Sequence, residues 1–260
     1  MSEKATGTAY PAVAGYVLGL GDDALIYSHR LGEWLTWAPA LEEDMALANV
    51  SLDLIGQARS LLTHAGSLDG TGRSEDDLAY LRDERDFRNV HLVEQRRGDF
   101  AREMARMLWF SAYQKALYAA LAGSADEQVR AIAAKAHKEV RYHHDHAAQW
   151  VVRLGDGTDE SHARMQEALT WVAPYVDELF DDAPAEVAAA VEAGVGVAPS
   201  SLRAPVQAGV EAVLAEATLA LPAVPKWRAR GGREGIHSEP LGYLLAEMQH
   251  LPRSVPGARW

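Results

Sequence analysis

Eight residues stand out for the chemistry their types and spacing could perform. Glu33, Asp53, Gly56, Ser111, Glu139 and Tyr142 fall where the ligands of a carboxylate-bridged di-iron centre would stand, and His143 and His146 follow the last of them. Such a centre takes a Glu from each of two helices and a Glu-x-x-His from each of two others, because that spacing aims hard oxygens and imidazoles at one interior point. Glu33 lies seven residues after Ile26 and four after His29, which puts it on the apolar face of a helix, where a Glu is unusual unless paired or ligating. Asp53-x-x-Gly56 keeps the spacing but has a shortened acid and no histidine. From Met104 through Ala125 there is no carboxylate, only Ser111, Tyr113 and Gln114 as interior polar candidates, with Glu103 at the start of that stretch. Glu139-x-x-Tyr142 carries a tyrosine where the second histidine belongs.

At most three of six ligands survive, too few to balance the charge of two irons or to hold them. The residue pattern therefore predicts no metal in this chain. The surviving acids are expected to pair with Asn49, Gln57, Arg or His across the interior and set helix register, with Glu33 inside that buried network. A different use remains open, since Glu139, His143 and His146 share one helical face at i, i+4 and i+7 and could bind a single Zn²⁺ or Fe²⁺. Ser28 with His29 and Ser161 with His162 lack a nucleophile-elbow context, and GVGVAPS follows no predicted strand, so neither a hydrolase nor a phosphate loop is indicated.

These residues need helices to position them, and Ala, Leu, Glu and Arg recur at helical spacing almost throughout. Helices are predicted over 22–37 from an Asp22/Asp23 cap, 41–66, 99–122, 125–153, 159–181, 201–221 and 242–251. In the second, Met45, Ala48, Leu52, Ile55 and Leu62 mark the expected buried stripe. The charged, turn-rich stretch 67–98 is a long connection with a short helix inside it, and the Ala/Gly-rich stretch 184–199 is a surface helix or loop. Two helices joined tightly, a long excursion and two more is the connectivity of a ferritin-like four-helix bundle. The expectation is one all-α domain over 1–260, with a core bundle over 16–155 and a helical extension over 156–260.

Composition removes other classes. With 25 Lys+Arg against 37 Asp+Glu, the net charge of −12 argues against nucleic acid as a partner, and the one dense basic stretch, RARGGREG at 228–235, reads as a loop. The chain has no Cys, which excludes disulfides, thiolate metal sites and a Cys nucleophile. Charges interrupt every apolar run before it can span a bilayer. The uncharged stretch 5–21 imitates a signal-peptide core, but Pro11 breaks it and Gly-Asp-Asp follows, so a cytoplasmic protein is expected.

Several separated motifs resemble one family. RLGEW at 30–34, LEEDMALANVSLDLIGQAR at 41–59, RDERDFRNVHLVEQ at 82–95, AKAHKEVRYH at 134–143, RLGDGTDES at 153–161 and the closing LGYLLAEMQHLPRSVPGARW are similar to the structural subunit of the phenylacetyl-CoA epoxidases. The resemblance spans nearly the whole chain. It implies a non-catalytic subunit of a bacterial multicomponent monooxygenase of aerobic phenylacetate degradation. A homologous catalytic subunit would carry the di-iron centre and bind the CoA thioester, and a reductase would supply electrons from NADPH. The competing reading is a metal-loaded ferritin-like oxidase or monooxygenase subunit with its own Fe or Mn. Trp34, Trp37 and Trp109 are candidate interface anchors, and a homodimer is expected when the chain is alone.

Overall fold

The computed structural model describes residues 11–257, and among them every regular element is helical. The helices are α1 Ala12–Gly32, α2 Leu41–Leu68, α3 Glu75–Tyr80, α4 His91–Glu94, α5 Phe100–Leu121, α6 Glu127–Gly155, α7 Asp159–Val176, α8 Ala185–Glu192, α9 Pro199–Glu216, α10 Glu239–Met248 and α11 His250–Ser254. The pair α1/α2 and the pair α5/α6 form the four-helix core, joined by the long crossover that holds α3 and α4. This is the all-α ferritin-like connectivity read from the sequence. The C-terminal helices close over it, with α7 and α9 packing on α5 and α8 packing on α1.

Short-range chemistry explains most boundaries. Asp99, Asp126 and Thr158 cap α5, α6 and α7 by accepting backbone N–H groups, and Ser74 with Asp77 forms a capping box on α3. Between α1 and α2 the Asp44 carboxylate accepts the N–H groups of Thr36 and Ala38 at 3.0 and 3.2 Å, which folds that corner onto the first turn of α2. Gly66 is required where the crossover returns, because a Cβ there would stand 2.1 Å from the Arg73 carbonyl oxygen.

Three expectations need correction. The first helix begins at Ala12, ten residues early, because Asp22 and Asp23 are buried mid-helix residues and not caps, and it ends at Gly32, five residues short of the expected 37. Residues 14–21 are thus part of the core, while 5–10 lie outside the described residues. The fifth helix ends at Val176 and tightens into a 3₁₀ turn over Asp177–Phe180. On α2, Met45, Leu52 and Ile55 are exposed, and the buried stripe is Leu47, Val50, Leu54, Ala58, Leu61 and Ala65. Two apolar faces share the same three-four spacing on this helix, and periodicity alone does not say which one the bundle covers.

Candidate functional site

The seam between α2 and α6 gathers most of the predicted ligand positions as separate pairs. His143 Nε2 lies 3.1 Å from Asp53 Oδ2, and Gln57 Nε2 donates to Glu139 Oε2 at 3.0 Å while accepting from the Tyr118 hydroxyl. Lys135 Nζ stands 3.4 Å from the other Glu139 oxygen. His146 Nε2 approaches Glu43 at 3.3 Å under the stacked ring of the exposed Tyr142. Burial keeps the His146 ring below its ordinary pKa despite Glu43, and His143 pushes in the same direction. Gly56 faces this seam with only Lys135 Nζ within reach of a Cβ.

Glu33 is not part of it. It is the C-cap of α1, its side chain is 38% exposed, and its carboxylate pairs with the buried Arg30 guanidinium. The apolar periodicity that placed it inward stops one residue before it, at the end of the helix. Ser111 is buried, but its hydroxyl donates back to the Met107 carbonyl of its own helix. Glu33, Ser111 and the α2/α6 pairs therefore do not converge, and among the described residues no three His, Asp or Glu side chains surround a common point. This donor set does not fit a dinuclear iron centre, nor does the Glu139/His143/His146 face gather round one ion.

The interior acid of α5 is Glu103, which sequence reasoning left at the edge of the helix. It is fully buried, accepting the Tyr27 hydroxyl at 2.8 Å and Trp34 Nε1 at 2.9 Å, with Arg106 Nη2 at 3.5 Å. Burial, reinforced by Glu103, holds the Tyr27 phenol well above its ordinary pKa, so it remains a neutral donor. Arg106 also donates through Nη1 and Nη2 to the Gln95 and Arg96 carbonyls, which ties the end of the crossover to α5.

The chain matches the family model described as "Phenylacetic acid catabolic protein" over residues 1–260. It is 48% identical over 248 residues to the C component of the 1,2-phenylacetyl-CoA epoxidase of Escherichia coli (strain K12), an alignment that covers 95% of this chain and 99% of that protein. The chain belongs to the phenylacetic acid catabolic protein family. In this family member the crossover motif at 82–95 serves a buried polar frame. Asp22 takes the Arg82 guanidinium and the Arg88 N–H, Asp23 takes the Val90 N–H and Arg233, and Glu94 takes Asn89, Ser238 and His237. Glu178 accepts the backbone N–H groups of His91 and Gly232 and faces the His91 ring at 2.9 Å. The stretch read as a plain basic loop, 228–235, is thus built in through Arg233, which also donates to the Gly19 and Arg88 carbonyls. Adjacent acids in an apolar run, Asp22-Asp23, were the sequence signal for this frame.

Two surfaces contrast with that closed interior. The outer face of α2 presents Leu41, Met45, Leu52 and Ile55, all exposed, over about 21 Å of helix at 1.5 Å per residue, with exposed Tyr142 on neighbouring α6. At its N-terminal end the α1–α2 corner adds exposed Leu35 and Trp37, while Trp34 and Trp109 are buried and serve the core. Beside that corner, Arg96 and Arg97 line a groove closed on the other side by α10. No described helix is long and apolar enough to cross a membrane.

Proposed function

We propose that this chain is the non-catalytic structural subunit of a phenylacetyl-CoA 1,2-epoxidase of aerobic phenylacetate degradation, working in the cytoplasm. It stabilises and activates a homologous catalytic subunit that holds the di-iron centre, and it binds no metal of its own. The similarity to a component of the Escherichia coli epoxidase supports the choice of complex. The role is carried by one observation: Glu103, the buried acid of α5, is already committed to Tyr27, Trp34 and Arg106, and the acids of α1, α2 and α6 face other partners. A carboxylate in that state is a register pin and not a vacant ligand.

The apolar face of α2 is the surface on which we place the catalytic subunit. Four large apolar side chains in a row on one helix, flanked by Tyr142 and Trp37, exceed the scattered exposure normal for a monomer. Alone, the chain covers this face by homodimerising, since a two-fold pair buries the same patch on both copies. The reductase meets the assembled complex, and neither nucleic acid nor membrane is a partner.

The test is reconstitution with elemental analysis. The chain mixed with its cognate catalytic subunit elutes as one stable hetero-oligomer, and phenylacetyl-CoA-dependent NADPH oxidation appears when reductase is added. Iron and manganese in the isolated chain stay far below one per chain. Full activity without this chain, or two tightly bound irons in it, would favour the metal-loaded oxidase reading and overturn ours.

A further inference from the structure

We propose that the groove between the α1–α2 corner and α10 is a binding site for a phosphorylated purine nucleotide. The groove is a cleft of about 790 Å³ largely open to solvent, and Arg30, Arg96, Arg97, Trp37, Tyr243 and Glu247 are among the residues that line it. Its lining holds three arginines against two glutamates in a chain where acids outnumber bases 37 to 25. Arg30 is satisfied, paired to Glu33 and bonded to the Glu94 and Pro240 carbonyls. The other two guanidiniums are not. Arg97 gives one hydrogen bond, to the Glu33 carbonyl at 2.7 Å, and lies 4.5 Å over the Trp37 ring; Arg96 lies 4.9 Å over the Tyr243 ring and takes no protein acceptor among the described residues.

Each unpaired guanidinium is thus held against an aromatic face, with donors left over in the fork geometry that matches a phosphate. Both rings are largely exposed, Trp37 at 67% and Tyr243 at 56%, which leaves aromatic surface for a base to stack on. The Tyr243 hydroxyl donates to Glu239 at 3.1 Å, which steadies its ring. A lone inorganic anion would use the arginines and leave the rings idle. An acidic protein surface would meet the charge but does not need two exposed aromatic rings beside the arginines. A phosphorylated purine uses both features.

If the reading of the chain as an epoxidase subunit holds, the ligand is the 3′-phosphoadenosine end of the acyl-CoA substrate, because Trp37 joins the groove to the end of the α2 face assigned to the catalytic subunit. That clause rests on the proposed function, whereas the nucleotide site itself does not.

Calorimetric titration of the purified chain with adenosine 3′,5′-bisphosphate tests it. Saturable binding at one site per chain is expected, with adenosine alone and inorganic phosphate each at least about tenfold weaker. Arg96→Ala should weaken binding about tenfold without moving the thermal midpoint, since Arg96 bonds to no described protein acceptor, and Trp37→Ala should do the same. Absence of saturable binding, equal binding of phosphate alone, or unchanged affinity in Arg96→Ala would each overturn the proposal. If the isolated chain fails to bind nucleotide yet still forms the active complex, only the groove assignment falls. If it binds nucleotide but never joins the catalytic subunit, only the functional reading falls. In the active complex, Arg96→Ala should raise KM for phenylacetyl-CoA and leave kcat in place; a KM that stays put removes the CoA clause.

Discussion

Removing the Glu103 carboxylate should damage the protein far more than removing that of Glu33, although the sequence pointed to Glu33 as the interior acid. In Glu103→Ala the Tyr27 hydroxyl and Trp34 Nε1 lose their acceptor inside the core, each worth roughly 1–3 kcal/mol when left unpaired. Arg106, fully buried 3.5 Å away, loses its counter-charge, and breaking a buried pair from one side typically costs about 3–5 kcal/mol. These losses share partners and do not add. Arg106 also keeps the Gln95 and Arg96 carbonyls, so a net loss of about 3–5 kcal/mol is expected. At roughly 2–4 °C per kcal/mol for a chain of this size, the thermal midpoint falls by about 6–20 °C. Glu33 is 38% exposed in an i,i+3 pair, so Glu33→Ala should cost less than about 1 kcal/mol. Tyr27→Phe, which leaves Glu103 with Trp34 and Arg106, should fall between them, near about 1 kcal/mol. Scanning calorimetry and urea midpoints at neutral pH measure all three. A Glu103→Ala midpoint within about 2 °C of the parent, or a Glu33→Ala loss as large, would refute the assignment of Glu103 as the register pin.

Two other outcomes follow from the same geometry. Burial alone would lower the His91 pKa and raise that of Glu178, but their mutual contact overcomes both, holding His91 above its usual 6.5 and Glu178 below its usual 4.5. The His91 share of the pair's stability is then present below pH 6.5 and lost as pH rises through the raised value, and the Glu178 share is present above pH 4.5 and lost on acidification through the lowered one. The midpoint gap between the parent and Glu178→Gln should therefore be widest near about pH 5.5 and narrower near about pH 8.5; a gap that does not narrow contradicts the pairing. On the α2 face, Leu52→Glu and Ile55→Glu should leave the helical circular-dichroism signal of the isolated chain unchanged, because both side chains are exposed, while splitting its homodimer and abolishing co-elution with the catalytic subunit. Unimpaired co-elution would move the interface elsewhere.

Helices and their connectivity were readable because three-four periodicity acts locally: the expected starts at 99, 125 and 159 fall within two residues of α5, α6 and α7, where Asp99, Asp126 and Thr158 provide the caps. What local pattern could not settle was which side of a helix meets another. Leu52 and Ile55 have the spacing of a core stripe and are exposed, while Asp22 and Asp23 have the look of an N-cap and are buried. Both errors have one source. A partner distant in sequence decides the matter: for Asp22 it is Arg82, sixty residues on, and for Asp23 it is Arg233, near the far end of the chain. Of the polar residues singled out in the sequence, Asp53, Gln57, Glu139 and His143 line one seam. Glu33 was misplaced because the helix ends one residue before it, and Glu103 was missed because a helix start reads as solvent unless the crossover folded over it is known.

The location of the buried charges bears on why such a bundle persists. A di-iron bundle holds its interior acids together through the metal, and acids without one are tolerated only if donors replace it. For Asp22, Asp23 and Glu94 the donors come from segments outside the four core helices. Arg82 and the N–H groups of Arg88 and Val90 belong to the crossover, and Arg233, His237 and Ser238 belong to the loop before α10. Each acid therefore fastens a peripheral segment to α1 or to the crossover, and the interior becomes a frame closed against ligand exchange. That frame positions Arg96 and Arg97 as well, since Arg106 grips the carbonyls of Gln95 and Arg96 on one side while Arg97 grips that of Glu33 on the other. The buried acids of this frame thus fasten the crossover and the loop before α10, the two segments that lead into the walls of the cationic groove.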